Sequence, residues 1–188
     1  MWIYLLDGGV KLKDLDKLIL EISQGKKESL RIFYDKTKKS VYAYALSILK
    51  SHHDAEDVMQ DTYIAVYSSA NQYKSQGKPL AWVMTITKNL ALKKIRNYKD
   101  CHNVLEDFDD KVLSDDCYIT SDNRILIETI LSMLEEVDRQ IVVLHAVSGL
   151  KHREIAVMLN IPLATVLSKY NRSLKKLNLM LSEGLENE

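Results

Sequence analysis

Proline and glycine are scarce: the 188 residues hold two prolines and six glycines. With so few breakers, and little strict alternation of apolar and polar residues, a sandwich or barrel of short strands is excluded and helices are expected. Cysteine is scarce too, and Cys101 and Cys117 fit reduced thiols better than a disulfide framework. No uninterrupted apolar run reaches the roughly 20 residues that a bilayer helix needs. The opening MWIYLLDGG lacks the basic flank of a secretory signal. A cytoplasmic location without membrane insertion is therefore expected. A phosphate-cradling glycine loop and a nucleophile motif are both missing, which argues against an enzyme. Neither His52, His53 and Asp54 nor Cys101, His102 and Cys117 supply a four-ligand zinc spacing, so no metal or other cofactor is expected.

An excess of one charge is also missing, because Lys plus Arg and Asp plus Glu both number 26. That balance hides a partition. Residues 1–99 carry 17 basic and 10 acidic side chains, residues 100–122 carry one and eight, and residues 123–188 carry eight of each. An acidic strip separating a basic part from a neutral one points to two domains and a linker. The expected organisation is an N-terminal extension (1–13), a helical domain (14–99), an acidic linker (100–122) and a second helical domain (123–188). The fold class is all-α.

What is present concentrates near the C-terminus. In KHREIAVMLNIPLATVLSKYNRSLKKLNLML (Lys151 to Leu181), a short helical pattern ends at Asn160 and Pro162 can open a second one. That is the spacing of a helix-turn-helix, whose second helix enters the major groove. At 100° per residue, Leu163, Val166, Leu167, Tyr170, Leu174, Leu177 and Leu181 fall on one side of the second helix. Thr165, Ser168, Lys169, Arg172, Lys175 and Lys176 fall on the other. Small polar residues early in the helix let the backbone approach base edges, and later cations suit phosphates. An amphipathic helix with a solvated basic face would carry the same pattern.

Further upstream, Leu15, Leu18, Ile19 and Ile22 recur at helical spacing and stop near Gly25. A longer helix from Glu28 to about Lys50 carries Leu30, Phe33, Tyr34, Val41, Tyr44, Ala45 and Ile48. The segment Ser51 to Asp54 interrupts it, with Asp54 as the expected N-cap of a helix reaching about Tyr73. One face of that helix holds Ala55, Val58, Met59, Thr62, Ala65 and Val66. The other mixes Glu56, Asp57, Gln60 and Asp61 with Ile64 and Tyr67, as a partner surface would, although stray exposed apolar residues are common. Residues Asn71 to Pro79 read as a loop with Tyr73 and Lys74. A last helix, from Leu80 to about Tyr98, turns Leu80, Val83, Met84, Leu90, Ala91 and Ile95 to the core. Trp82, Thr85, Asn89, Lys93 and Arg96 line its far side, which suits unpaired bases on a charged backbone; burial of Trp82 against a neighbour is the alternative.

The run DAEDVMQDTYIAVY (Asp54 to Tyr67), with PLAWVMTITKNLALKKIRN (Pro79 to Asn97), resembles region two of bacterial sigma factors. Leu131 to Leu177 resembles region four. Their order and the short linker resemble the extracytoplasmic-function group of the sigma-70 family. The resemblance implies a factor that joins core RNA polymerase, recognises promoter DNA and promotes strand opening. Asp57, Gln60, Asp61 and Ile64 would meet the β′ clamp helices, and the β flap would be a further contact. Asn71, Tyr73, Lys74, Trp82, Asn89, Lys93 and Arg96 would recognise and melt the minus-ten element. Thr165, Ser168, Lys169, Arg172, Lys175 and Lys176 would read the minus-thirty-five element as duplex. An anti-sigma factor is an expected partner, and the acidic linker would run toward the RNA path.

Three departures from the family pattern stand out. Asn160 occupies a turn position that often holds glycine, and Leu167 replaces a basic residue. Glu135 and Glu136 stand where paired prolines are usual, which leaves that helix boundary open. Two rivals remain at this point: a stand-alone helix-turn-helix regulator that binds duplex DNA without polymerase, and a module that sequesters a polymerase or sigma partner without reading DNA.

Overall fold

The stripe formed by Leu15, Leu18, Ile19 and Ile22 starts the first unit. In the computed structural model, which describes residues 12–75, 77–102 and 133–185, helix α1 spans Leu12–Ser23 and buries all four. Gly25 then takes φ 81°, its N–H bonding the Ile22 carbonyl at 2.9 Å while the Lys26 N–H reaches Glu21 at 3.1 Å. This pair of bonds satisfies carbonyls at the helix end, and glycine takes the left-handed geometry without a Cβ penalty.

Helix α2 (Lys27–Leu49) buries more residues than the apolar ones singled out in its sequence. Every residue from Val41 to Ile48 is buried. The reason is tertiary: α1, α3 (His52–Ser69) and α4 (Pro79–His102) all pack on α2, and a helix covered all round loses its amphipathic stripe. Ala43, Ala45 and Ser47 keep its girth small there. Its polar groups find partners, Tyr42 Oη with His52 Nδ1 at 2.6 Å and Thr37 with Tyr63 at 2.8 Å.

Helix α3 spans His52–Ser69, so Asp54 is not its N-cap. Ser51 is the cap, its hydroxyl accepting from the Asp54 backbone N–H at 3.2 Å. Serine three residues ahead of an acid is the stronger start signal. A short 3-10 turn, Ala70–Gln72, replaces the expected last turn of α3. Helix α4 runs Pro79–His102, four residues beyond Tyr98. The remainder of the acidic strip lies outside the described residues, as do residues 1–11, Cys117 and the side chain of Cys101.

The chain divides into two compact units between residues 118 and 119. In the second, helix α5 spans Glu136–Val142, with Glu135 at its cap position and no side-chain cap bond. A π turn (Val143–Val147), α6 (His152–Leu159) and α7 (Leu163–Leu185) follow. Among the described residues no strand occurs, and no helix is long and apolar enough to cross a membrane.

Candidate functional site

Asn160 sets the geometry of the helix-turn-helix. It sits at φ 56°, ψ 47°, ending α6. Its N–H donates to the Val157 carbonyl at 3.2 Å and the next N–H, of Ile161, to Ala156 at 3.1 Å. The turn is the one glycine commonly makes, and asparagine tolerates it better than other side chains. At the other end of α6 the Glu154 carboxylate accepts the Lys151 N–H at 2.9 Å, fixing where the helix begins.

On α7, Val166, Tyr170 and Leu177 are buried as expected. Leu167 is not: it stands 41% exposed, while Ser173, read as neither core nor contact, is buried. The buried side of α7 thus runs through Val166, Tyr170, Ser173 and Leu177, and Leu167 falls at its edge. Among the expected DNA contacts, Ser168, Arg172 and Lys175 are exposed and Thr165 is half-buried. Lys169 and Lys176 turn back onto their own unit. Lys169 Nζ pairs with Asp138 at 2.5 Å, and Lys176 Nζ donates to the Met133 carbonyl at 2.6 Å.

Behind α7 lies a cluster that the sequence did not signal. The rings of His145 and His152 stack at 4.0 Å, and Tyr170 meets both edge-on at 4.7 and 4.8 Å. His145 Nδ1 donates to the Leu150 carbonyl at 2.8 Å. Burial, and then the neighbouring His145, holds the His152 imidazole below its ordinary pKa.

In the first unit, Gln60, Asp61, Ile64 and Tyr67 form one exposed stripe on α3, with Ile64 at 68%. Asp57 belongs to the same stripe but is engaged. Lys94 Nζ lies 2.7 Å from both Asp57 and Asp54, and Tyr98 Oη donates to Asp54 at 3.1 Å. Burial alone would raise the Asp54 carboxyl, but the hydrogen bonds from Lys94, Ser51 and Tyr98, with the charge of Lys94, hold it below its usual value. Lys94, only a neighbour of the candidate residues in the sequence, ties α3 to α4.

Ahead of α4, Asn71 and Lys74 are exposed, as are Asn89, Lys93 and Arg96 along it. Tyr73 and Trp82 are half-buried and touch, with ring centroids 4.9 Å apart and planes inclined by 50°. Both readings of Trp82 therefore hold in part: one region of the ring is covered, and another reaches the surface.

Comparisons with known proteins agree on the family. The model described as Sigma-70 region 2 matches residues 33–100, and that described as Sigma-70, region 4 matches residues 124–177. The ECF RNA polymerase sigma factor SigK of Mycobacterium ulcerans (strain Agy99) is 28% identical over 174 residues, covering 87% of this chain and 91% of that protein. Its namesake in Mycolicibacterium vanbaalenii is 26% identical over 172 residues, covering 87% of each. Among solved structures, CnrH in complex with the cytosolic domain of CnrY has TM-score 0.64 at 19% identity, covering 90% of this chain and 98% of that one. RpoE of Bartonella quintana, bound to the anti-sigma factor NepR, has TM-score 0.64 at 20% identity, covering 81% and 98%. Two separate region matches in the right order leave no room for a stand-alone helix-turn-helix regulator: the chain is a member of the extracytoplasmic-function group of the sigma-70 family, the initiation factors of bacterial RNA polymerase.

Proposed function

We propose that the two domains divide the work of initiation, residues 14–99 docking on polymerase and opening DNA, residues 123–188 reading duplex upstream. The observation that carries this reading is the exposed stripe of Gln60, Asp61, Ile64 and Tyr67 on α3, an acidic and apolar surface suited to the β′ clamp helices. Asp57 contributes less than the sequence suggests, because it already pairs with Lys94. At the minus-ten element, Tyr73 and Trp82 offer ring surface to an unstacked base, and Asn89, Lys93 and Arg96 follow the strand along α4. At the minus-thirty-five element, Thr165 and Ser168 approach base edges while Arg172 and Lys175 meet phosphates.

The chain supplies recognition, and the chemistry of RNA synthesis belongs to the polymerase. Its place of action is the cytoplasm. The complex of RpoE with the anti-sigma factor NepR among its structural neighbours supports a regulator of the same kind here. Core-dependent transcription from a genomic promoter library tests the reading. Added chain should direct initiation, and Asp61→Lys with Ile64→Lys should abolish both initiation and capture of β′. Initiation surviving that pair of changes would refute the docking surface.

A further inference from the structure

Helix α1 carries no part of the functions assigned so far, yet one of its side chains reaches the aromatic pair. Tyr73 Oη donates to Asp16 Oδ1 at 2.5 Å across 57 residues of sequence. Tyr73 lies just after the 3-10 turn, where its N–H bonds the Ala70 carbonyl at 3.2 Å. The described residues between it and Pro79 form no helix or strand. The Asp16 carboxylate is thus a second anchor, from another helix, on a ring that also touches Trp82 at 4.9 Å. Burial, and then the bond and charge of Asp16, push the Tyr73 phenol above its ordinary value, so its proton stays in place as the donor.

We propose that Asp16 is a positioning residue for strand capture, holding Tyr73 against Trp82 so that the two rings form a preset ledge for an unpaired base. The inference rests on the downstream-strand role given above to Tyr73 and Trp82. With its hydroxyl proton committed to Asp16, Tyr73 offers a base its ring and no hydroxyl donor. A ledge fixed in advance spares the ordering cost that a free ring would incur when the base arrives. Stacking of this kind tolerates any base, so base selectivity has to come from neighbouring polar groups.

The test uses the full chain assembled with core polymerase, and a fluorescent single-stranded deoxyoligonucleotide pool of mixed sequence, read by anisotropy. Asp16→Ala and Tyr73→Phe should each weaken strand binding about tenfold, which corresponds to about 1.4 kcal/mol. The double variant should be no weaker than either single one. Asp16→Asn, whose amide oxygen still accepts, should retain most of the affinity, and binding to core polymerase should be unchanged throughout. In the free chain with Trp2→Phe, which leaves Trp82 as the single tryptophan, Asp16→Ala should shift the Trp82 emission as Tyr73 departs. Strand binding by Asp16→Ala as tight as the parent, or tighter through loss of a repelling charge, overturns the proposal, as do fully multiplicative single effects. If Trp82→Ala weakens binding while Asp16→Ala does not, the positioning role alone fails. If Trp82→Ala also binds normally, the downstream-strand reading fails with it.

Discussion

Burial of the His152 ring, and then its face-to-face neighbour His145, oppose a proton on His152. The native state therefore prefers neutral His152, whose pKa lies below its unfolded value of about 6.5. Between the two values the unfolded chain binds more protons, and stability rises with pH. The stabilising difference is fully present above about pH 6.5 and is lost as pH falls through the depressed native value. Asp54 in the first unit has the same sign in a more acidic window: its carboxylate stabilises above its unfolded value, about 3.9, and that is lost as pH falls through the lowered native one. Urea denaturation of the full chain, followed by NMR signals of each unit, should show the second unit weakening as pH falls below about 6.5 while the first holds. His152→Phe should flatten that dependence.

At the scale of elements, the turn between α6 and α7 decides whether the second helix of the helix-turn-helix, proposed above to read duplex DNA, is presented at all. Asn160 performs glycine's task at φ 56°, so its departure from the family pattern leaves the turn intact. Asn160→Gly should preserve or slightly raise the thermal midpoint. Asn160→Val puts a β-branched side chain into the left-handed region and should cost about 1–2 kcal/mol. Thermal unfolding of the two variants beside the parent protein checks both directions. An unchanged midpoint for Asn160→Val would mean that the backbone escapes the strained geometry.

For the whole molecule, formal neutrality means that attraction to DNA rests on local groups and not on overall charge. Few upstream cations face outward, since Lys169 and Lys176 bond within their own unit. Upstream duplex binding by the free chain should therefore be weak and should gain from polymerase docking, which raises the local concentration of the second domain. Arg172→Ala and Lys175→Ala should each lower the slope of log affinity against log salt by about 0.9. Lys169→Ala should leave that slope nearly unchanged and instead destabilise the second unit by breaking its pair with Asp138. Titrations of duplex binding at several salt concentrations, with melting curves of the same variants, separate the two outcomes.

By itself the sequence determined the helical class, the helix-turn-helix and the family. Each of these depends on local spacing, such as Leu15 with Leu18, Ile19 and Ile22, or Asn160 between two apolar patterns. The mixed stripe from Gln60 to Tyr67 was equally legible, because exposure on one helix follows from rotation per residue. Tertiary structure alone decided what depends on contacts between elements. It buried α2 on all sides, moved Ser173 into the core in place of Leu167, and tied up Asp57 and Lys169 with cations and acids from other helices. It also joined Asp16 to Tyr73 and His145 to His152 and Tyr170. Periodicity describes a helix against an unspecified interior and carries no information about which partner arrives from tens of residues away. Whether a charged side chain serves a ligand or its own fold is settled only when that partner is present.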